Sequence, residues 1–217
     1  MKKQSHLLNF NTQKSTTNDE FADSVVLNTQ IINRDSSNDP YANYVIFQLR
    51  NTNIVNSTFF SDDCGSLIQL SSVSQSSSDI RDNRYPFYFS SGSMISITQP
   101  LSSDFTFEKN SFCIEMWYKA QSSGTDSILC AKRTGTYGPF VIYKNSSDKI
   151  QVNLSSALAS WDIANLICNT VIQQNIWVHV AVVRNGNVLN VYLNGVLDGT
   201  TVLPDLPLAT AATHPFS

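Results

Sequence analysis

The chain has little charge and no clustered basic segment. Only 14% of its 217 residues are charged, the formal net charge is −3, and no basic run is longer than the pairs Lys2-Lys3 and Lys132-Arg133. Proteins that bind nucleic acid by neutralising phosphates need clustered Lys and Arg, and a weakly acidic chain has no long-range field to attract a polyanion. We therefore expect no nucleic-acid partner.

The N-terminus lacks the apolar segment that export or membrane insertion requires. The opening residues MKKQSHLLNFNTQ begin with a basic pair, but Asn9 and Asn11 interrupt the apolar residues that follow. A signal peptide needs an unbroken apolar core, and a transmembrane helix needs a longer one. The sequence predicts neither a signal peptide nor a membrane span.

The four cysteines form no C-x-x-C pair, which argues against a metal or redox motif. They are Cys64, Cys113, Cys130 and Cys168. An even number of cysteines could form two disulfides, but without an export signal free buried thiols are favoured.

Motifs for metal, nucleotide or serine-hydrolase chemistry are missing as well. His6, His179 and His214 are the only histidines and none has a partner at metal-ligand spacing, while G-x-S-x-G and glycine-rich phosphate loops do not occur. The turn residues Asp62-Asp63 could supply oxygens to calcium, although turn chemistry alone explains such a pair. We expect no cofactor and no metal, with calcium as the weaker alternative.

Strand signals are abundant. Residues 177–199, WVHVAVVRNGNVLNVYLNGVLDG, contain two Asn-Gly pairs between alternating apolar runs. Asn-Gly tolerates the positive φ angles of a type I′ turn, so the segment predicts a three-stranded antiparallel meander. Other segments with period-two patterning predict strands at residues 44–49, 58–60, 66–70, 111–119, 127–132, 139–144 and 149–154.

Three further segments have specific expectations. Residues 85–89 and 94–98 flank a Ser-Gly turn at 90–93 and predict a hairpin, and residues 71–78 predict a polar loop. Residues 155–169 predict an insertion between core strands, in which one short helical turn could form over 156–167. No long segment has a sustained helical period, so the predicted fold class is all-β.

Several motifs resemble those of one family. The pattern W-x-H-V-A-V, followed by N-G and V-Y-L-N-G-V, resembles the concanavalin A-like lectin/glucanase or laminin G-like domain found in bacteriophage virion proteins and bacterial surface proteins. The upstream segments TFFSDDCG at 58–65, FYFSSG at 87–92, MISI at 94–97 and FCIEMWY at 112–118 agree in order and spacing. The resemblance implies an antiparallel jelly-roll β-sandwich over residues 43–217, preceded by an irregular N-terminal arm or linker at 1–42.

The resemblance also implies closing strands of the types I-G-G and G-Y-I-D-E-L-R-I, which are not found before residue 217. Either this chain is a truncated product or another segment fills the gap. An open sheet edge needs a cover, which the N-terminal arm or a neighbouring subunit could supply.

The glucanase branch of this family carries E-x-D-x-x-E on a core strand, because glycoside hydrolysis uses paired carboxylates. The corresponding segment reads EMWYKA from Glu115 onward, so only the first acid is present. We expect no enzyme activity and no catalytic residue, and a catalytic alternative would need a carboxylate opposed to Glu115. The resemblance also assigns His179 a structural role and places Trp117 and Trp177 in the core.

Sugar binding requires exposed aromatic rings beside hydrogen-bonding groups. The candidate glycan-binding residues are Trp161, Asp162, Tyr137 and Tyr143. The simpler alternative for Trp161 is packing beneath its own loop.

Together these observations predict a non-enzymatic phage virion protein of structural, decoration or adhesion type, located in a tail, fibre or capsid. Its partners would be other virion subunits, including copies of itself, and host-surface glycan, and it would assemble in the host cytoplasm. The alternative is a stand-alone carbohydrate-binding lectin module of a bacterial surface protein. The fold itself does not discriminate between them, because it hosts many functions.

Overall fold

The computed structural model describes residues 49, 59–61, 67–75, 86–99, 105–133 and 136–210, and all regular secondary structure in these ranges is β-strand. The arm predicted at 1–42 lies outside the described residues, as does the strand predicted at 44–49 except for its last residue. Within the described ranges there is no helix that could span a membrane. The strands are β1 (Phe59–Ser61), β2 (Leu67–Gln75), β3 (Phe87–Gln99), β4 (Phe112–Lys119), β5 (Ser127–Lys132), β6 (Phe140–Lys144), β7 (Lys149–Leu154), β8 (Ala164–Val171), β9 (Trp177–Asn185), β10 (Val188–Leu193) and β11 (Val196–Val202).

The strands form antiparallel sheets, two of which build the sandwich. Sheet I has the order β11-β10-β9-β4, sheet II has the order β5-β6-β7-β8, and β1-β2-β3 form a smaller third sheet. Alternate residues of sheets I and II belong to one buried apolar cluster, so the two sheets pack face to face. The predicted all-β sandwich is confirmed.

Apolar alternation explains which face of each strand is buried. Every second residue of a strand points to the same side, and in β7, β9 and β10 those residues are aliphatic and fully or almost fully buried. These core residues are Ile150, Val152 and Leu154 in β7, Val178, Val180 and Val182 in β9, and Leu189, Val191 and Leu193 in β10.

The meander predicted at 177–199 is β9-β10-β11, but its two turns differ. Asn194 and Gly195 both have positive φ (51° and 80°), as a type I′ turn requires. In the first turn Asn185 still pairs with Val188, so Gly186 and the residue after it occupy the centre. Only Gly186 has positive φ (58°), which is the pattern of a type II′ turn. The predicted central pair at 185–186 is therefore wrong by one residue.

The hairpin predicted around residues 90–93 is a bulge inside one long strand. Met94 pairs with Ser71 and Phe89 pairs with Val73, so both halves of β3 run alongside β2 in the same direction. The four residues between them loop out, and the positive φ of Gly92 (79°) accommodates the detour. The loop predicted at 71–78 is also wrong in part, because β2 continues to residue 75.

Strand β8 was not predicted. Residues 155–169 were expected to form an insertion with a helical turn, but residues 164–171 pair with β7. The apolar residues Ala164, Leu166 and Cys168 pack on the core and alternate with Asn165, Ile167 and Asn169. The apolar Ile167 on the outward face interrupts the apolar–polar alternation and hid the period-two pattern.

Asp198 joins the edges of the two sheets. Its carboxylate accepts hydrogen bonds from the backbone amides of Asn169 (2.9 Å) and Thr170 (3.0 Å) and from the Thr170 hydroxyl (2.5 Å). At the next residue, a side chain on Gly199 would lie 3.2 Å from the Cys168 sulfur, so glycine permits the close approach of β8 and β11. Burial, with a smaller contribution from Asp198, raises the pKa of the Cys168 thiol to about 12.

The cysteines within the described residues are free thiols, as expected. Cys130 and Cys168 are buried, and burial raises the pKa of Cys130 to about 12. Cys113 is exposed, which contradicts the expectation of burial, because it lies on the outward face of β4. Cys64 lies outside the described residues.

We predict that Asp198→Ala lowers the free energy of unfolding by about 1–3 kcal/mol, because the backbone amides of Asn169 and Thr170 lose their acceptor. Chemical denaturation measures the change. The matched control is Asp205→Ala, which removes an exposed ion pair with Lys109 and should change the stability little. Equal losses of stability in the two variants would contradict the role of Asp198 in joining the edges of the two sheets.

Candidate functional site

The outward face of sheet II is lined by amide side chains. Because Ile150, Val152 and Leu154 point into the core, Gln151 and Asn153 point away from it. We call this surface the amide face. The strand register forms two rows across it, one of Ile128, Tyr143, Gln151 and Ile167 and the other of Ala131, Val141, Asn153 and Asn165.

Hydrogen bonds connect these amides in one network. Gln151 Nε2 donates to Asn165 Oδ1 at 2.7 Å and to Asn153 Oδ1 at 3.3 Å. Gln151 Oε1 accepts from Asn145 Nδ2 at 3.0 Å, and Asn153 Nδ2 lies a longer 3.5 Å from the Tyr143 hydroxyl. Asn165 accepts the hydrogen bond from Gln151 through its side-chain oxygen, so its side-chain nitrogen points away from Gln151.

The side chains of the network differ in burial: two are buried and support the others, and two are accessible. Gln151 and Asn153 are only 8% and 5% exposed, whereas Asn165 is exposed and Tyr143 is half-buried. The Tyr143 phenol, like an ordinary tyrosine, keeps its proton at neutral pH and can donate, and burial raises its pKa further. The buried pair orients the two groups that a ligand can reach.

The β6–β7 turn holds Asn145 at the edge of this face. Asn145 Oδ1 accepts hydrogen bonds from the backbone amides of Ser147 (3.0 Å) and Lys149 (3.1 Å), which leaves its Nδ2 to Gln151. This local side-chain-to-backbone pattern is typical of Asn in tight turns.

A buried ion pair fixes the same turn. Lys144 is fully buried, and its Nζ donates to Asp148 Oδ1 (2.5 Å) and to the carbonyl of Thr125 (2.7 Å). Asp148, at a positive φ of 58°, also accepts from the Ser123 hydroxyl. Hydrogen bonds from Lys144 and then Ser123 hold the pKa of Asp148 below its ordinary value.

Two predicted aromatic residues meet at the opposite end of sheet II. The rings of Tyr137 and Trp161 are 5.3 Å apart at 58°, a tilted aromatic contact. Tyr137 precedes β6 and Trp161 precedes β8, and both strands begin at the same end because each is antiparallel to β7. The pair therefore lies at the sheet end nearest the Asn153–Asn165 row.

Asp162 closes the loop that carries Trp161. Its carboxylate accepts hydrogen bonds from the backbone amide (2.9 Å) and the hydroxyl of Ser156. These bonds, the hydroxyl first, hold the pKa of Asp162 below its ordinary value. The geometry gives Asp162 a positioning role for the loop.

Gly138 sets the position of Tyr137. A Cβ at this residue would lie 2.2 Å from the carbonyl oxygen of Lys132 and 2.4 Å from Arg133 Cβ, distances that no side chain tolerates. The chain can pass β5 this closely only with glycine.

The sequence-predicted candidates thus fall into three places. Tyr137 and Trp161 are in contact, Tyr143 lies on the amide face, and Asp162 binds its own loop. Their role in glycan binding stays a prediction. Sequence reasoning missed Gln151, Asn153 and Asn165, although the alternation I-Q-V-N-L in β7 was a usable signal.

The carboxylate expected for an enzyme lies elsewhere. Glu115 is on the outward face of sheet I, with its carboxylate 3.6 Å from the His179 imidazole. The strands of sheet II contain neither Asp nor Glu. Among the described residues no group of three or more His, Cys, Asp or Glu could hold a metal ion, and the turn at Asp62-Asp63 lies outside them.

Both tryptophans assigned to the core lie on the outward face of sheet I. Trp117 is 45% exposed and contradicts the assignment, and Trp177 is half-buried and not part of the apolar cluster. The residues that alternate with them, such as Met116 and Val178, point inward instead.

We predict that Gly138→Ala separates Tyr137 from Trp161 and destabilises the fold by about 1–3 kcal/mol, because the added methyl group forces the backbone away from β5. Near-ultraviolet circular dichroism and thermal unfolding measure both effects. Thr136→Ala, at an exposed residue nearby, should change neither, and an unaltered aromatic signal in Gly138→Ala would contradict this role of glycine.

We predict that Asp148→Asn lowers the thermal unfolding temperature at pH 7 by several degrees, because Lys144 loses its charged partner. The folded-state pKa of Asp148 lies below its unfolded value of about 3.9, so its contribution is complete above that pH and is lost as the pH falls through the folded-state pKa.

The difference in unfolding temperature between wild type and Asp148→Asn should therefore narrow below about pH 4. Asp126→Asn, in the adjacent loop, is the control and should show little difference at any pH. A difference in unfolding temperature that stays constant from neutral to acidic pH would contradict a stabilising role for the ionised Asp148 carboxylate.

Known proteins provide a comparison for this geometry. Among solved structures, domain 4 of AbnA, an extracellular GH43 arabinanase from Geobacillus stearothermophilus in complex with arabinotriose, is 15% identical with a TM-score of 0.42, over 72% of this chain and 75% of that one. The β-glucanase of Bacillus licheniformis is 15% identical with a TM-score of 0.39, over 82% and 80%. No curated protein matches the chain.

The family comparison is more direct. The family model described as the concanavalin A-like lectin/glucanases superfamily (Laminin_G_3) matches residues 89–217, more than half of the chain. The chain therefore belongs to the concanavalin A-like lectin/glucanases superfamily.

Proposed function

We propose that this chain is a non-enzymatic carbohydrate-binding domain that holds a neutral oligosaccharide on the amide face. The observation that carries the proposal is the network in which buried Gln151 and Asn153 orient exposed Asn165 and half-buried Tyr143. Membership of a lectin/glucanase superfamily agrees with sugar as the class of ligand.

The chemistry of the amide face suits sugar hydroxyls. Each hydroxyl is both a donor and an acceptor, and Asn165 on β8 and Tyr143 on β6 offer both functions on either side of β7. The Tyr137–Trp161 pair adds an apolar surface at the sheet end, on which the C–H face of a sugar ring can pack. Since the network orients these groups before binding, less conformational entropy is lost on association.

The same face argues against hydrolysis. Glycosidases use two carboxyl groups about 5–10 Å apart, one of which must ionise. The amides of Gln151, Asn153 and Asn165 cannot act as proton donors or nucleophiles of that kind, and Glu115 lies on the opposite outward surface of the sandwich. We infer a binding domain whose ligand leaves unchanged.

The biological context we favour is adhesion by a phage virion protein present in several copies, with host-surface glycan as the ligand. Its support is the sequence resemblance to virion proteins together with the polar, weakly charged surface. A lectin module of a bacterial surface protein is the alternative. Both contexts use the same site, so the test of the site is independent of that choice.

We predict that Asn165→Ala weakens binding of a neutral oligosaccharide by about tenfold, because one oriented hydrogen bond of about 1 kcal/mol and its support are lost. A printed array of neutral oligosaccharides selects the probe, and isothermal titration measures the affinity.

The control is Asn187→Ala, which removes an exposed asparagine side chain in the β9–β10 turn, outside the strands of both sheets. Unchanged affinity in Asn165→Ala, or an equal loss in Asn187→Ala, would rule out the amide face as the site.

A further inference from the structure

The outward face of sheet I carries a cluster of aromatic rings that the amide face does not explain. In the register of β4 with β9, Trp117 lies opposite His179 and Lys119 lies opposite Trp177. All four side chains point away from the core, because the alternate residues of both strands point into it. We call the surface formed by Trp117, Trp177, His179 and Glu115 the aromatic platform.

Two rings of the platform, those of Trp117 and His179, are in contact, and the indole is accessible. Trp117 is 45% exposed, and its ring lies 4.9 Å from the His179 ring at an angle of 52°. The Glu115 carboxylate, whose side chain is 64% exposed, lies 3.6 Å from His179 Nε2. An accessible indole therefore has an imidazole and a carboxylate directly beside it.

The platform rests on a rigid part of the fold. The backbone amide of His179 donates to the side-chain oxygen Oδ1 of Asn194 (2.9 Å). The backbone amide of Asn194 donates to the His179 carbonyl (2.9 Å). This pair ties β9 to the β10–β11 turn. A surface held by paired strands and a locked turn keeps its shape before a ligand arrives.

The row of residues beside the Trp117 and His179 rings contains a surface depression. Glu115, Ala181 and Tyr192 are opposite one another across β4, β9 and β10. Alanine is much shorter than either neighbour, so the surface is lower at Ala181 than on both sides. The depression lies beside the aromatic rings and is bordered by a carboxylate and a phenol.

We propose that the aromatic platform is a second carbohydrate-binding site, which stacks one pyranose ring on Trp117 and binds its hydroxyls through Glu115 and His179. The class of ligand rests on the proposed function, but the site is separate from the amide face. Stacking on an indole uses the apolar C–H face of a sugar, while the carboxylate accepts from two adjacent hydroxyls.

The charges of this surface favour a neutral sugar over the other ligands that stack on aromatic rings. Single-stranded nucleic acid also stacks on tryptophan, but its binding sites are lined by Lys and Arg. Here Glu115 lies in the row beside Trp117 and His179, Lys119 is the only basic residue of β4, and the chain carries a net charge of −3. A polyanion would be repelled at the position where a hydroxyl is bound.

Two sites on opposite outward faces make the domain bivalent. Sheets I and II pack against each other through their inner faces, so the amide face and the aromatic platform point in opposite directions. One oligosaccharide cannot reach both, and the domain can bridge two glycan chains.

The test uses the full chain and one probe, serum albumin conjugated with the neutral oligosaccharide that binds most tightly on a printed array. Light scattering measures crosslinking of the conjugate, and isothermal titration with the unconjugated oligosaccharide measures stoichiometry. Wild type should bind two oligosaccharides per chain and crosslink the conjugate. Trp117→Ala should abolish crosslinking and retain one site, with affinity at the lost site reduced about tenfold or more.

Further variants separate binding from folding. Trp117→Phe should keep part of the affinity because it keeps a ring, and Glu115→Gln should weaken the same site without changing the unfolding temperature. Tyr88→Ala, which removes an exposed aromatic ring outside sheets I and II, is the matched control and should leave both sites intact.

The outcomes distinguish the two proposals. One site per chain that Trp117→Ala leaves unchanged would overturn the aromatic platform and leave the amide face in place. One site that Trp117→Ala removes and Asn165→Ala does not would retain the platform and overturn the amide face. A change of sedimentation in Trp117→Ala with unchanged sugar binding would identify the platform as a protein interface, and no binding on the array would overturn both.

Discussion

Apolar packing between sheets I and II decides which strand side chains point out of the sandwich. Because Ile150, Val152 and Leu154 must enter the shared core, the residues between them are forced outward. A shift of one residue in the pairing would bury Gln151 and Asn153 and expose three aliphatic side chains. The cost of such a shift fixes the register, and the register creates the amide face.

The polar network on that face obeys a second constraint, which is that buried polar groups need partners. Gln151 and Asn153 are almost inaccessible, yet each bonds to neighbours on the face. A fully bonded network is rigid, whereas an unpaired buried amide would cost about 1–3 kcal/mol. Stability of the sheet and orientation of Asn165 therefore have the same physical origin.

Sequence patterns correctly predicted the elements whose signals lie within a few residues. The predictions were wrong where the structure depends on contacts with residues distant in the chain. Asn194-Gly195 carries its turn type in its own residues, but the turn at Gly186 follows the β9–β10 register. The Ser-Gly segment around Gly92 is typical of a chain reversal. Only the pairing of both halves of β3 with β2 shows that residues 90–93 form a bulge. The contact of Tyr137 with Trp161 depends on two loops meeting at one sheet end, and the exposure of Trp117 depends on which face of β4 is covered.

Weak charge and shallow surfaces set the scale of binding that such a domain can reach. Each net hydrogen bond contributes about 1 kcal/mol and one aromatic contact about the same, so three or four such contacts supply about 3–4 kcal/mol, which corresponds to a dissociation constant in the millimolar range. A single site of that strength cannot hold a particle or a cell. The two proposed sites, each on a separate glycan chain, would raise the effective affinity without deepening either site, since the second contact becomes intramolecular. A rigid sandwich that points its binding groups in opposite directions is suited to adhesion by number of contacts.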